Sequence, residues 1–172
     1  HFTVGNHMIC SRDDGNYNKT FYRWLPAVQN DFAGRMDWCV AEEYSEANHQ
    51  PLARINGEAI RTVAPGQTVV LDASPSSDPD GDTLSYYWWH YYDADNATTK
   101  LTIENDTSMN NAGFVVPDEP GKQLHVLLEV TDHGTPQLKT YKRIVFNITD
   151  PAMVQNSGIS SGIKLYPVPV AN

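Results

Sequence analysis

Hydrophobic positions repeat with two different periods along this chain of 172 residues. Between residues 27 and 41 an apolar side chain occurs at every fourth position, which is the spacing of an amphipathic helix. The four positions are Val28, Phe32, Met36 and Val40. After a proline at position 51 the period becomes two, as in strands with one buried face. The patterns predict a helical segment over 1–50 followed by a β domain over 51–150.

The β domain is divided into short strands by Pro-Gly, Asp-Gly and His-Gly turns. Strands are predicted at 52–55, 59–63, 68–72, 85–92, 102–104, 113–116, 122–131 and 138–148. Roughly seven strands in about 100 residues, without a helical period between them, favour an immunoglobulin-like β-sandwich. Residues 151–172 are predicted to form a flexible linker and a truncated tail, because 156–162 are rich in Ser and Gly.

The strand predicted over 85–92 carries aromatic side chains on both of its faces. Its even-numbered rings, Trp88 among them, are expected to fill the core, where a Trp on the third strand commonly packs. Its odd-numbered rings would then point outward, where flat rings can stack on the apolar faces of sugars. The alternative is that residues 1–50 or another domain cover this face. The candidate carbohydrate-binding residues are Tyr87, Trp89 and Tyr91.

An acidic turn precedes the aromatic strand. Asp78, Asp80 and Asp82 alternate around a glycine and place three carboxylates on one loop, which is chemistry that a structural calcium ion could use. Asp72, Asp132 or backbone carbonyls would have to complete the coordination. The alternative is a plain turn, since aspartates bond their own backbone and glycine supplies a positive φ.

Charge and composition exclude several classes of function. Twelve Lys and Arg against 21 Asp and Glu give a net charge of −9, which leaves no basic stripe for nucleic acid. No apolar run approaches the roughly 20 residues of a membrane span. Cys10 and Cys39 are candidates for one disulfide in an oxidising compartment, with two free thiols as the alternative. Because the chain begins at His1, we expect it to be a piece of a longer polypeptide.

No catalytic constellation stands out. The six histidines show no helical i,i+4 pairing, and no segment resembles a zincin motif or a nucleophile elbow. Catalytic residues are therefore expected to be absent from this chain.

The segment 71–88, together with 128–134, resembles the polycystic-kidney-disease (PKD) and cadherin-like families of extracellular sandwiches. Both families place an Asp-Pro-Asp-Gly-Asp loop before an aromatic strand and end a late strand with Val-Thr-Asp. The PKD tryptophan is usually followed by Asp-Phe-Gly-Asp-Gly, whereas Trp88 is followed here by Trp-His-Tyr-Tyr. The resemblance implies the fold but not a standard member.

Residues 20–150 are more closely similar to a family of secreted bacterial cellulose-binding proteins, which carry a nucleoside-hydrolase-like domain followed by a C-terminal sandwich. The matching motifs are Tyr22-Arg23-Trp24, 29–38, 47–51 and 78–92. The resemblance implies that 1–50 close the hydrolase-like domain and form the linker, and that its metal-binding aspartates lie outside this chain. Residues 165–170 are similar to the opening of a type IX secretion sorting tail.

These observations together predict a non-catalytic, cellulose-associated accessory module of a secreted or cell-surface bacterial protein, next to a hydrolase-like companion domain. One rival is a fragment of a nucleoside-hydrolase-like glycosidase, with residues 1–50 completing an active site. Another rival is a structural spacer stiffened by calcium.

Overall fold

The computed structural model describes residues 22–150, which form a helix, two short 3₁₀ turns and six β-strands. The helix α1 spans Leu25–Val40, and the turns lie at Tyr44–Glu46 and Tyr92–Ala94. The strands are β1 (Ile60–Val63), β2 (Thr68–Leu71), β3 (Leu84–His90), β4 (Ala112–Val115), β5 (Gln123–Asp132) and β6 (Lys139–Ile148). The described part of the chain is therefore mainly β, as predicted.

Two sheets pack face to face. The larger has the order β1-β6-β5-β3, and the smaller pairs β2 with β4. Phe114 of β4 and Phe146 of β6 meet across the interior with ring centroids 5.2 Å apart. Trp88 is only 1% exposed, and its indole N–H donates to the Ser108 carbonyl over 2.9 Å. The buried hydrophobic side chains of both sheets form one core, which confirms the predicted β-sandwich.

The alternation of side chains along β3 agrees with the prediction. Trp88 is buried, Tyr86 packs against the core, and the His90 side chain is 7% exposed. Register pairs Tyr87 with Glu129 and Trp89 with Leu127 of β5 on the outer face of the larger sheet. The odd-numbered side chains of β3 thus lie on the outer face of the larger sheet, as predicted.

Two of the predicted strands were wrong. The segment 52–55 makes a single bridge between Leu52 and Ser77, and 102–104 makes a single bridge between Glu104 and Gly113. In the first segment, side-chain hydrogen bonds take the place of backbone pairing with a neighbouring strand. The Ser76 hydroxyl accepts from the backbone N–H of Arg54 and donates to its carbonyl. In the second, Asn105 follows at once with φ of 50°, which turns the chain away.

The helix α1 confirms the helical prediction, and it packs against the loop between β5 and β6. A Cβ atom at Gly34 would lie 3.2 Å from Leu138 Cδ2, so only glycine allows this approach without adjustment. Asn30 Nδ2 donates to the Gln137 carbonyl over 2.8 Å. No helix within residues 22–150 combines the length and the hydropathy needed to cross a bilayer.

Candidate functional site

Four aromatic rings meet on the outer face of the larger sheet. Trp24, just before α1, lies with its ring centroid 5.6 Å from Trp89, 4.9 Å from Tyr141 and 6.3 Å from Tyr91. Trp89 and Tyr91 contact each other edge to face at 5.6 Å. Tyr87 lies beside this group and remains 44% exposed. Trp24 therefore covers part of the face, while Tyr87 stays open to solvent.

Arg23 caps the ring cluster with its guanidinium group. The group lies 5.4 Å from the centre of the Trp89 ring and 5.9 Å from that of Tyr91, within the range of a cation–π contact. Its Nη2 also donates to Asp93 Oδ2 over 2.8 Å, and the Asp93 side chain is only 7% exposed. The ion pair holds the guanidinium over the rings.

A shallow cavity of about 260 Å³ opens between these groups. It is lined by Arg23, Trp24, Tyr87, Trp89 and Glu129. Glu129 forms an ion pair with Lys139, the first residue of β6. Burial and then the nearby Glu129 carboxylate raise the pKa of Tyr141 to about 12, so this phenol stays neutral at ordinary pH. Apolar rings, a carboxylate and a guanidinium thus face one concave surface.

The structure brings two of the three predicted carbohydrate-binding residues into this cavity. Tyr87 and Trp89 line it, whereas Tyr91 is not among its lining residues and contacts the Trp89 ring edge to face. The role of all three in binding stays a prediction. Sequence reasoning missed Glu129, although its odd-numbered place on β5 indicated an outward side chain. The contact of Trp24 with Trp89 had no sequence signal, because the two lie far apart in the chain.

The acidic loop is organised by hydrogen bonds. Asp78 Oδ1 accepts the backbone N–H groups of Asp80 and Asp82 over 2.8 and 3.1 Å. Asp80 accepts the backbone N–H of His49 over 2.6 Å, and its Oδ1 lies 3.0 Å from the His49 ring Nδ1. Desolvation, and then repulsion from Asp78 and the neighbouring carboxylates, raises the pKa of Asp82. These contacts match the turn alternative for this loop.

His49 also joins the helical segment to the acidic loop. Its ring stacks on Tyr44 with centroids 3.6 Å apart, and Trp38 stacks on it at 5.5 Å. The indole N–H of Trp38 donates to the Asn48 carbonyl over 2.6 Å. The linker is thereby fixed against the same loop that was predicted to hold calcium.

The residues around the loop fit a calcium ion poorly. Asp72 caps its own turn at Ser74, and Asp132 accepts N–H groups of Gly134 and Leu138. Within residues 22–150, no three His, Cys, Asp or Glu side chains are arranged to hold a metal. One observation favours the metal alternative, since Asp78 Oδ2 is buried and has no hydrogen-bond partner among the described residues. Calcium at Asp78, Asp80 and Asp82 stays a prediction.

A larger cavity of about 500 Å³ lies beside the smaller sheet. Its lining includes the exposed side chains of Val70 and Val115, but the one ring that borders it is Phe114, which is only 3% exposed. This cavity offers no aromatic platform, so the outer face of β3 is the stronger candidate for binding a sugar.

The remaining predicted features lie partly outside the described residues. Cys39 is exposed on α1, whereas Cys10 lies outside them, so the disulfide stays a prediction. The linker and the sorting-tail resemblance over 151–172 also lie outside them.

Residues 68–148 match a family described as the C-terminal domain of cellulose-binding protein Sde0182. Over these residues, the chain is similar to that family. The match runs from β2 to the end of β6, and so it contains all the strands except β1. Tyr87, Trp89 and Glu129 lie within the matched residues, whereas Arg23 and Trp24 precede them.

Comparison with solved structures extends the similarity beyond residues 68–148. A nucleoside hydrolase-related protein from Saccharophagus degradans, associated with carbohydrate metabolism, is 43% identical with a TM-score of 0.71, over 74% of this chain and 32% of its own. This chain thus spans about a third of that protein. The PKD domain of the KIAA 1837 protein is 21% identical with a TM-score of 0.39, over 64% of this chain and 94% of that domain. None of the curated proteins matches.

Proposed function

We propose that this chain is a carbohydrate-associated module that binds cellulose through the cavity between Tyr87 and Trp89. The observation that carries the proposal is an exposed ring beside a carboxylate in one concave surface, within residues similar to the C-terminal domain of cellulose-binding protein Sde0182. The family is described as cellulose-binding, and the S. degradans relative is associated with carbohydrate metabolism. The module belongs to a secreted protein and has no catalytic role of its own.

Tyr87 is the platform in this proposal. Tyr87 lies on β3 with 44% of its surface exposed, so it can stack on the apolar face of a glucose ring without breaking an existing contact. Burial of about 100 Å² of apolar surface at roughly 25 cal/mol per Å² contributes about 2 to 3 kcal/mol. That is a modest affinity, of the kind that suits reversible attachment to a polymer.

Trp89 and Glu129 give the surface its shape and polarity. The Trp89 ring forms one wall, and its contacts with Trp24 and Tyr91 hold it in place. Glu129 sits opposite Tyr87 in the register of β3 and β5, so its carboxylate can accept hydrogen bonds from hydroxyl groups of a stacked sugar. Tyr91 acts through Trp89 and needs no sugar contact.

A pull-down of the full chain with insoluble cellulose tests the proposal. We expect Tyr87→Ala to lose most of its adsorption while its melting temperature stays within a few degrees of the parent. The matched control is Tyr44→Ala, which removes a ring that is 62% exposed but lies in the His49 stack instead. Equal adsorption of Tyr87→Ala and the parent chain would contradict the proposed site, and so would a selective loss in Tyr44→Ala.

A second candidate function concerns the longer protein. The S. degradans relative is nucleoside hydrolase-related, and this chain spans 32% of it. Hydrolysis of glycosyl bonds would then be carried out by residues beyond this chain. A glycoside and nucleoside hydrolysis assay of the longest polypeptide that contains the chain, compared with the 172 residues alone, tests this assignment. Activity of the 172 residues alone would contradict the non-catalytic role.

A further inference from the structure

The cavity beside Tyr87 is closed on two of its sides. Along β3 it ends at Trp89, which Trp24 covers with its ring centroid 5.6 Å away. Across the sheet the next ring is Tyr141 of β6, and Trp24 packs on it at 4.9 Å. Leu127 of β5, which pairs with Trp89 on the same outer face, is only 6% exposed. A ligand that rests on Tyr87 therefore cannot continue in either of these directions.

Among the described residues, the opposite direction along β3 stays open. Ser85 is exposed and lies two residues before Tyr87, so both side chains point to the same face of the sheet. Register places Thr131 of β5 beside Ser85, and Lys139 of β6 beside Thr131. These three side chains form a polar row next to the ring of Tyr87. The open side of the cavity thus leads from an aromatic platform onto hydroxyl and ammonium groups.

The polar row keeps hydrogen-bonding capacity for a ligand. The Ser85 Oγ lies 2.7 Å from Nε2 of His133, which is also exposed. A serine hydroxyl has one donor and two acceptor lone pairs, so a bond to His133 leaves capacity in either tautomer of the ring. Lys139 Nζ carries three protons, and its ion pair with Glu129 takes one of them. Because sugar hydroxyls both donate and accept, the row matches the polar edge of a sugar.

We propose that this surface binds the end of a glucan chain, with the terminal sugar stacked on Tyr87 and the next sugar over Ser85 and Thr131. Resting on the proposed function, the assignment adds a second subsite and the part of the chain that is recognised. The cavity of about 260 Å³ lies below the roughly 300 to 1,000 Å³ of a small-molecule pocket, so it holds a single sugar unit. Two residues along a strand span about 7 Å, which is the scale of one neighbouring unit.

The exposure of the rings also favours a chain end over the middle of a chain. Of the three rings that line the cavity, Tyr87 is 44% exposed, whereas Trp24 and Trp89 are half-buried against each other. A polymer that passes over a surface in both directions needs open surface on both sides of the stacked sugar. Here the Trp24–Trp89 contact fills one side, and the polar row extends the other. Affinity should therefore stop increasing once both subsites are filled.

Calorimetry with glucose, cellobiose, cellotriose and cellohexaose tests this on the 172-residue chain. We expect the affinity to rise by about tenfold from glucose to cellobiose, through the hydrogen bonds of the second sugar. From cellobiose to cellohexaose it should stay within about twofold, because the additional sugars extend into solvent. Binding along the middle of a chain would give a continued rise, since a longer chain can occupy the site in more registers.

Two conservative variants test the second subsite. Ser85→Ala and Thr131→Val should each reduce the gain from glucose to cellobiose to about threefold, because each removes one hydroxyl from the polar row. The matched control is Thr68→Val, the same change at an exposed position of β2 in the smaller sheet, which should keep the tenfold gain. Melting temperatures of all three variants within a few degrees of the parent establish that each remains folded.

Three results would overturn the chain-end assignment and leave the proposed function intact, provided that Tyr87→Ala abolishes binding. The first is a cellobiose affinity no higher than that for glucose. The second is an affinity that continues to rise from cellobiose to cellohexaose. The third is an undiminished gain in both Ser85→Ala and Thr131→Val. A parent chain that binds none of the four sugars, or a Tyr87→Ala variant that binds them equally well, would instead contradict the proposed function and the assignment with it.

Discussion

Trp24 and Trp89 pack with their ring centroids 5.6 Å apart and their planes inclined by 46°. This contact joins the segment before α1 to the outer face of the larger sheet. It also explains why only part of the aromatic surface of β3 is open, because Trp24 occupies the space beside Trp89 that a ligand could otherwise fill.

The two tryptophans should be energetically coupled. We expect Trp24→Ala and Trp89→Ala each to lower the free energy of unfolding by about 2 to 3 kcal/mol, since each removes a half-buried indole. The double variant should lose about 1 kcal/mol less than the sum, which is the value of an aromatic pair. Urea unfolding of all four proteins measures the cycle. Strict additivity would show that the contact is not formed in solution.

Gly134 should resist substitution. A Cβ atom there would lie 2.4 Å from the side chain of Asn48, which is buried and donates to Asp132 Oδ2 and the Pro136 carbonyl. We expect Gly134→Ala to lower the free energy of unfolding by about 2 to 3 kcal/mol, because this network must shift. Gly66→Ala is the control, since nothing lies within 4 Å and only its φ of 75° opposes the change. A smaller loss at Gly134 than at Gly66 would contradict the packing described.

Stability should depend on Glu119 in acid. Its carboxylate accepts the backbone N–H groups of Thr98 and Thr99 over 2.8 Å each. The Thr99 hydroxyl and then the Thr98 amide lower the pKa of Glu119 from 4.5 to about 2. A carboxyl whose pKa is lower in the folded state than in the unfolded state stabilises the fold at pH values above its unfolded-state pKa. This contribution disappears as the pH falls through its folded-state pKa.

The test for Glu119 is a comparison of thermal unfolding across pH. Glu119→Gln should be less stable than the parent chain by about 1 kcal/mol or less near pH 7, a figure reduced for solvent screening. The difference should shrink between pH 4.5 and about 2. The exposed Glu58→Gln is the control for a general loss of charge. A gap that persists unchanged below pH 2 would rule out the carboxylate as its source.

The hydrogen bonds of the acidic loop distinguish a turn from a metal site. Because Asp78 holds the N–H groups of Asp80 and Asp82, Asp78→Ala should lower the free energy of unfolding by about 1 kcal/mol. We expect the same loss with calcium as with a chelator. A melting temperature that rises with calcium in the parent chain, and no longer does so in Asp78→Ala, would support the predicted calcium ion instead.

Much of the sandwich could be predicted from the sequence. The two-residue period of 85–92 and 122–131 correctly predicted which side chains of β3 and β5 face the core, because successive side chains of a strand point to opposite faces and one face is buried. The segments 52–55 and 102–104 were overpredicted, since apolar alternation does not show whether a partner strand is present. Strand parity placed Tyr87 and Trp89 on the outer face.

The rest of the site depends on contacts that are distant in sequence. The cover that Trp24 gives to Trp89, and the placement of Arg23 over both Trp89 and Tyr91, arise from how the helical segment lies on the sheet. Periodicity identified α1 as amphipathic, but it could not show that Gly34 would face the sandwich. Local patterns define faces, whereas the packing of one element on another selects which face is buried.

Titration of the chain with a soluble cello-oligosaccharide, followed by isothermal calorimetry, tests the central proposal most directly. The parent chain should bind with modest affinity, Tyr87→Ala should lose detectable heat, and Glu129→Gln should bind about five- to tenfold more weakly through loss of a charged acceptor. Tyr44→Ala should bind as the parent does. Binding that is unchanged in Tyr87→Ala and Glu129→Gln would contradict a cellulose site on the outer face of β3.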